Sequence, residues 1–176
     1  MYFVIQVLSG KEDSIIDILN RKIDKDIILE CFTPRRVRMK KYEGKWHNVT
    51  ERYFPGYIFI DTCKPKELFN ELKKIGEFTK ILGRQEDNNF LSLSEEESRM
   101  IDSLMGKDVD RITDISLIDI KEGNKIEVIE GPLLGFEGRI TKVNLHKRTA
   151  SVLLDMCGRE VEVVLGIDFI KKNELA

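Results

Sequence analysis

The sequence predicts an α+β fold: an N-terminal antiparallel sheet flanked by helices, followed by a small closed C-terminal β-barrel. Three observations carry this prediction. Strand-like and helix-like runs alternate through the first half of the chain, and an acidic middle holds a helix with readable ends. After residue 119 the helical period disappears, and short β-branched runs are separated by glycine, proline and charged turns.

Residues 2–7 are apolar and β-branched and read as a strand. Ser9-Gly10-Lys11-Glu12 reads as a capping box into a helix facing inward through Ile15, Ile16, Leu19 and Ile23. Residues 27–32 supply the next strand, and 36–42 pair with 46–52 across Glu43-Gly44-Lys45 as a hairpin. Tyr57-Ile58-Phe59-Ile60 is apolar on both faces, which suits a central strand. Pro65 opens a helix with Leu68, Phe69, Leu72 and Ile75 inward, and Gly76 closes it. Ser94 with Glu95, Glu96 and Glu97 forms a second capping box, ahead of an apolar face of Met100, Ile101, Leu104 and Met105 that ends at Gly106.

Beyond Gly106, scattered aspartates without a clean period read as a linker with one short strand around residues 115–118. The expected organisation is therefore a domain over 1–106, a linker over 107–118 and a barrel over 119–176. In the barrel Ile126, Val128, Ile140, Val143, Val152, Leu154, Val161 and Val163 lie on strands, broken at Gly131-Pro132, Gly135, His146-Lys147-Arg148 and Cys157-Gly158. Closing such strands on themselves removes their edges.

Several functions are excluded early. Of the 176 residues 41% are hydrophobic, enough for a core, yet no run approaches the roughly 18 to 20 apolar residues of a membrane span. Residues 1–8 lack a positive region ahead of the apolar run, so no signal peptide is expected and the protein should be cytoplasmic. Cys31, Cys63 and Cys157 show neither paired spacing nor an even count, so reduced thiols are expected. The two histidines, His47 and His146, are too far apart in sequence to suggest a triad or a zinc site. No enzyme activity, metal or cofactor is expected.

The net charge of -2 hides an uneven distribution. Residues 1–92 carry 17 basic and 14 acidic groups, 93–122 carry 4 and 9, and 123–176 carry 8 and 8. Within the first part Arg35, Arg36, Arg38, Lys40, Lys41, Lys45 and Arg52 face only Glu43 and Glu51. In an extended strand Arg36, Arg38 and Lys40 project from one face at intervals of roughly 6.7 Å, with Val37 and Met39 on the other. Charges so placed repel one another, and a phosphate backbone would relieve the repulsion while releasing counterions. Trp46 at the hairpin tip is a candidate for stacking on an unpaired base. Arg139, Lys142, His146, Lys147 and Arg148 form a second basic group on the barrel. The competing reading is a solvated basic hairpin whose charges only keep it soluble.

Residues 126–140, Ile-Glu-Val-Ile-Glu-Gly-Pro-Leu-Leu-Gly-Phe-Glu-Gly-Arg-Ile, fix a tight turn at Gly131-Pro132, with Gly135 and Gly138 giving conformations closed to other residues. This segment resembles the KOW motif of NusG-family transcription factors and of some ribosomal proteins. Tyr2-Phe3-Val4-Ile5-Gln6-Val7 with Ser9-Gly10-Lys11-Glu12 resembles the opening of the NusG N-terminal domain. Tyr53-Phe54-Pro55-Gly56-Tyr57-Ile58-Phe59 resembles that domain's phenylalanine-proline-glycine-tyrosine segment, and the three segments occur in the family's order.

The resemblance implies an SH3-like KOW barrel and a non-enzymatic factor that docks on the clamp helices of the largest RNA polymerase subunit. At the matching positions Tyr53, Phe54 and Tyr57, with Phe78, Ile81 and Leu82, are the polymerase-binding candidates; their use requires an exposed aromatic patch. Asp61-Thr62-Cys63-Lys64 departs from the pattern that would give a second contact on the opposite jaw. The basic hairpin and the ending Leu165-Gly166-Ile167-Asp168-Phe169 suggest similarity to the LoaP antiterminators, specialised paralogs that recognise a structured leader RNA, and this chain is expected to be a monomer acting at particular operons through a leader hairpin. The alternatives are a general NusG whose barrel engages a ribosomal protein or Rho, and a ribosome-associated KOW RNA-binding protein.

Overall fold

A computed structural model describes residues 1–76, 91–105 and 110–170. In chain order the elements are β1 (Tyr2–Gln6), α1 (Glu12–Lys22), β2 (Glu30–Phe32), β3 (Arg35–Tyr42), β4 (Lys45–Arg52), β5 (Tyr57–Asp61), α2 (Pro65–Lys74), β6 (Leu91–Ser92), α3 (Glu95–Met105), β7 (Ile112–Thr113), β8 (Ser116–Ile120), β9 (Ile126–Glu130), β10 (Ile140–Asn144), β11 (Thr149–Met156) and β12 (Arg159–Phe169). They fall into two compact units. One comprises residues 1–33 and 54–99, the other residues 34–53 and 100 onward. The class is the α+β expected, with a helix-flanked N-terminal sheet and a curled C-terminal sheet.

In the first unit the strands run β2-β5-β1-β6, and each neighbouring pair is antiparallel. Strand alternation sends Ile58 and Ile60 into a core with Ile5, Val7, Ile15, Leu19, Ile23, Leu68 and Leu72. Phe59 points to the opposite face, where it stacks on Phe32 at 5.6 Å and meets Phe54 at 5.8 Å. Both faces of β5 are thus covered, as its unbroken apolar run implied.

Two helix starts turned out differently. Ser94 and Glu97 form the reciprocal capping box, with Ser94 N–H donating to Glu97 Oε2 at 2.7 Å and Glu97 N–H to Ser94 Oγ at 3.1 Å. Ser9 caps nothing: the residue preceding α1 is Lys11, without a side-chain cap bond. Glu12 instead receives the N–H groups of Gly10 at 2.8 Å and Gly56 at 2.7 Å. Its buried carboxylate is satisfied there, and it pins the Pro55-Gly56 bend to the start of α1.

In the second unit β10-β11-β12-β8-β9 form one sheet, with β8 and β12 parallel and the other pairs antiparallel. The one-turn segment Glu137–Arg139 touches both β9 and β11, so the sheet curls back on itself. Gly131 has φ 104°, and a Cβ there would sit 2.7 Å from Ser116 Cα. That close approach demands glycine and lets Leu133 N–H reach Ser116 Oγ at 3.0 Å. Gly135 has the positive φ expected of it, whereas Gly138 lies inside the short turn without one. The segment read as a linker holds β7 and most of β8; β7 pairs in parallel with β3.

Candidate nucleic-acid interface

The basic segment forms the long hairpin β3-β4, in the second unit. Its turn has two residues, not three: Glu43 and Gly44 both take positive φ, 47° and 76°, as a type I′ turn requires. That turn sets Arg36 opposite Glu51, Lys40 opposite His47 and Tyr42 opposite Lys45. Arg36, Arg38, Lys40, Tyr42, Lys45, His47 and Glu51 therefore share one face, while Val37, Met39, Lys41 and Trp46 lie on the other.

On the first face the cations are not left to repel one another, which corrects the sequence argument. Glu51 Oε1 accepts from Arg38 Nη1 at 2.8 Å and Arg36 Nη2 at 3.2 Å, and its Oε2 from Lys40 Nζ at 3.0 Å. Partial burial pushes the Glu51 carboxyl up, but Lys40, Arg38 and Arg36 together outweigh it and hold the group below its ordinary value. One carboxylate answers three cations, so a positive excess remains. Arg36 also donates through Nη1 to the Val164 carbonyl, and burial pulls its pKa down.

The other face rests on the curled sheet. A Cβ on Gly166 would overlap the Val37 carbonyl oxygen, so β3 crosses β12 at a contact that only glycine permits. Arg148 Nη1 bonds Asp168 Oδ1 at 2.8 Å, and its guanidinium lies 4.6 Å from the Trp46 ring centroid and 5.5 Å from that of Phe169. Trp46 is thus a clasp between hairpin and sheet, not the free stacking ring expected, and Arg148, with 13% of its side chain exposed, is its partner.

The remaining predicted cations divide by exposure. Lys40, Lys41, Lys45, Lys142, His146 and Lys147 are exposed, whereas Arg35, Arg52 and Arg139 are partly buried, Arg139 against Asp155 at 2.8 Å. Sequence reasoning missed Glu51, Tyr42 and His47. A two-residue turn, recognisable from Glu-Gly, would have placed Glu51 among the cations.

The aromatic bend is not the exposed patch expected. Tyr53 is 7% and Phe54 5% exposed. Tyr53 Oη lies 3.1 Å from Thr113 Oγ1, and burial pushes its pKa up to about 12. An aromatic with an apolar neighbour such as Phe59 gains more by burial than by waiting for a partner. Tyr57 keeps partial exposure, and Phe78, Ile81 and Leu82 lie outside the described residues.

The family model described as "Transcription termination factor nusG" matches residues 1–102. The chain belongs to the NusG family. It is 27% identical to the transcription termination/antitermination protein NusG of Streptococcus pyogenes serotype M3, over 90% of this chain and 88% of that one. Against the protein of the same description from Lactococcus lactis identity is 29%, over 97% and 91%. The solved structure "Domain interaction in Thermotoga maritima NusG" shares the fold with a TM-score of 0.54 at 18% identity, covering 94% of this chain and 92% of that chain. The chain is therefore a NusG-type transcription termination/antitermination factor, of a family that is non-enzymatic. Among its described residues no helix is long and apolar enough to cross a membrane.

Proposed function

We propose that this NusG-family chain suppresses pausing and termination at particular operons, recruited by a structured leader RNA. The polymerase clamp helices are bound from within residues 1–106 and the KOW barrel of residues 119–176 completes the factor, as a cytoplasmic monomer without cofactor. A factor that binds only the closed clamp stabilises it by its differential affinity, and a bias of about 1 to 3 kcal/mol suffices.

The observation that carries the RNA part is the charge surplus on the β3-β4 hairpin: Arg36, Arg38 and Lys40 share one carboxylate, with Lys45 exposed on the same face and Lys41 exposed on the other. The polymerase part rests on the family and on Tyr57, the described candidate with exposed surface; Tyr53 and Phe54 would contribute only after a change in their surroundings. Arg36 and Arg38 hold the hairpin together, so the informative variant replaces Lys40, Lys41 and Lys45 with Gln. With purified polymerase and a template carrying the leader before a terminator, the wild type should raise readthrough and the triple variant should not. Equal readthrough by both would remove the leader-RNA reading and leave a general NusG.

That second reading has one observation of its own. Leu134, in the glycine-bounded loop after Pro132, is 60% exposed, a position suited to a protein partner such as a ribosomal protein or Rho. Cosedimentation with ribosomes or capture by Rho, lost in Leu134→Ser, would support it.

A further inference from the structure

We infer that Tyr42, braced by His47 at the tip of the basic hairpin, is a stacking platform for an unpaired nucleotide of RNA, its flanking phosphates held by Lys45 and Lys40. This rests on the leader-RNA reading above and gives that site its ligand class.

Tyr42 is 65% exposed, the most open aromatic ring among the described residues. Hairpin register places it on the face of Lys40, Lys45 and His47. The His47 ring meets it at 6.1 Å between centroids and 62° between planes, an edge-on contact that fixes the phenol without covering it. Burying Tyr42 against protein would require stripping water from the neighbouring ammonium groups, which is costly unless an anion accompanies the partner. A nucleotide supplies both parts: a π-face for the ring and a phosphate for the lysines. Stacking on an aromatic tolerates any base, whereas paired bases keep their faces inside the helix.

The rest of the hairpin explains why the platform is rigid. Glu51 draws Arg36, Arg38 and Lys40 together along the same face, and on the opposite face Arg148 holds Trp46. The type I′ turn then fixes how the tip projects. A pre-ordered platform loses less entropy on binding than a mobile one. Of the two aromatics near the tip, Trp46 is committed to the clasp and Tyr42 is left for the ligand.

The test is fluorescence anisotropy of the full chain with a labelled stem-loop RNA carrying a uridine loop, a blunt duplex RNA, and a DNA stem-loop carrying a thymidine loop. Tyr42→Ala should weaken binding to the RNA loop about tenfold while leaving duplex binding and the salt slope unchanged, and Tyr42→Phe should retain the wild-type affinity. Circular dichroism and melting of each variant establish that the hairpin is intact. Wild-type affinity in Tyr42→Ala, or an equal loss on loop and duplex, overturns the platform while the leader-RNA reading stands. Absence of RNA binding by the wild type overturns both. Equal affinity for the DNA loop overturns the assignment to RNA.

Discussion

Tyr53 and Phe54, at the Pro55-Gly56 bend, read as surface aromatics in the sequence and Tyr42, at the tip of the hairpin, is not singled out there, yet the bend aromatics end buried and Tyr42 ends exposed. Phe54 packs on Phe59 and Tyr53 hydrogen-bonds Thr113, both nearly sealed; Tyr42 stands in solvent among lysines. The difference follows from what surrounds each ring: Phe54 meets Phe59, Tyr53 has Thr113 for its hydroxyl and the Arg36 guanidinium 6.0 Å from its ring centroid, and Tyr42 shares its strand face with solvated ammonium groups. An apolar neighbour repays burial at about 25 cal/mol per Å², whereas an ammonium neighbour must be desolvated first. Trp46 is intermediate: it is covered by a cation, Arg148, whose charge Asp168 answers.

The contrast can be broken most severely where the hairpin meets the curled sheet. Gly166→Val would drive side-chain atoms into the Val37 carbonyl and to within reach of Arg38 Cα, so urea unfolding should show a loss of about 3 kcal/mol. At the bend, Glu12→Ala orphans the N–H groups of Gly10 and Gly56, with an expected loss of about 2 to 3 kcal/mol in the same assay. A loss below about half a kcal/mol would mean that water replaces that carboxylate, and that the bend is more open than described.

Burial of Tyr53 has its own signature in pH. Its pKa rises from 10.0 to about 12, burial being the dominant cause, so the folded state retains a proton that the unfolded chain has lost. The stabilisation is fully present below pH 10 and disappears as pH rises towards about 12, an expected fall of about 2 to 3 kcal/mol that Tyr53→Phe should abolish. A smaller effect comes from the clasp. Arg148→Ala should cost about 1 to 2 kcal/mol and, because the chain has a single tryptophan, red-shift its fluorescence as the Trp46 ring is uncovered. Unchanged emission would show that the clasp does not hold Trp46.

Much of the fold was legible because it rests on local rules. Ser94 and Glu97 cap reciprocally, Pro65 occupies the first turn of α2, and Ile58, Phe59 and Ile60 are buried on both faces of β5. The failures come from partners distant in sequence. Glu12 has the spacing of a capping residue, yet its second bond goes to Gly56. Trp46 and Arg148 are far apart along the chain, and no periodicity links them. Glu51 was within reach, since the length of a hairpin turn decides which residues face each other, and one residue more in that turn moves it off the cationic face.

The central claim is that the exposed cations of the β3-β4 ribbon grip RNA phosphates. The most direct measurement is the affinity of wild type and of the Lys40, Lys41 and Lys45 triple Gln variant for one stem-loop RNA across a salt series. Each phosphate contact contributes about -0.7 to the slope of log affinity against log salt for single strands, so the variant's slope should be shallower by about 2. Superimposable slopes would contradict the account, leaving the ribbon as a solvated hairpin.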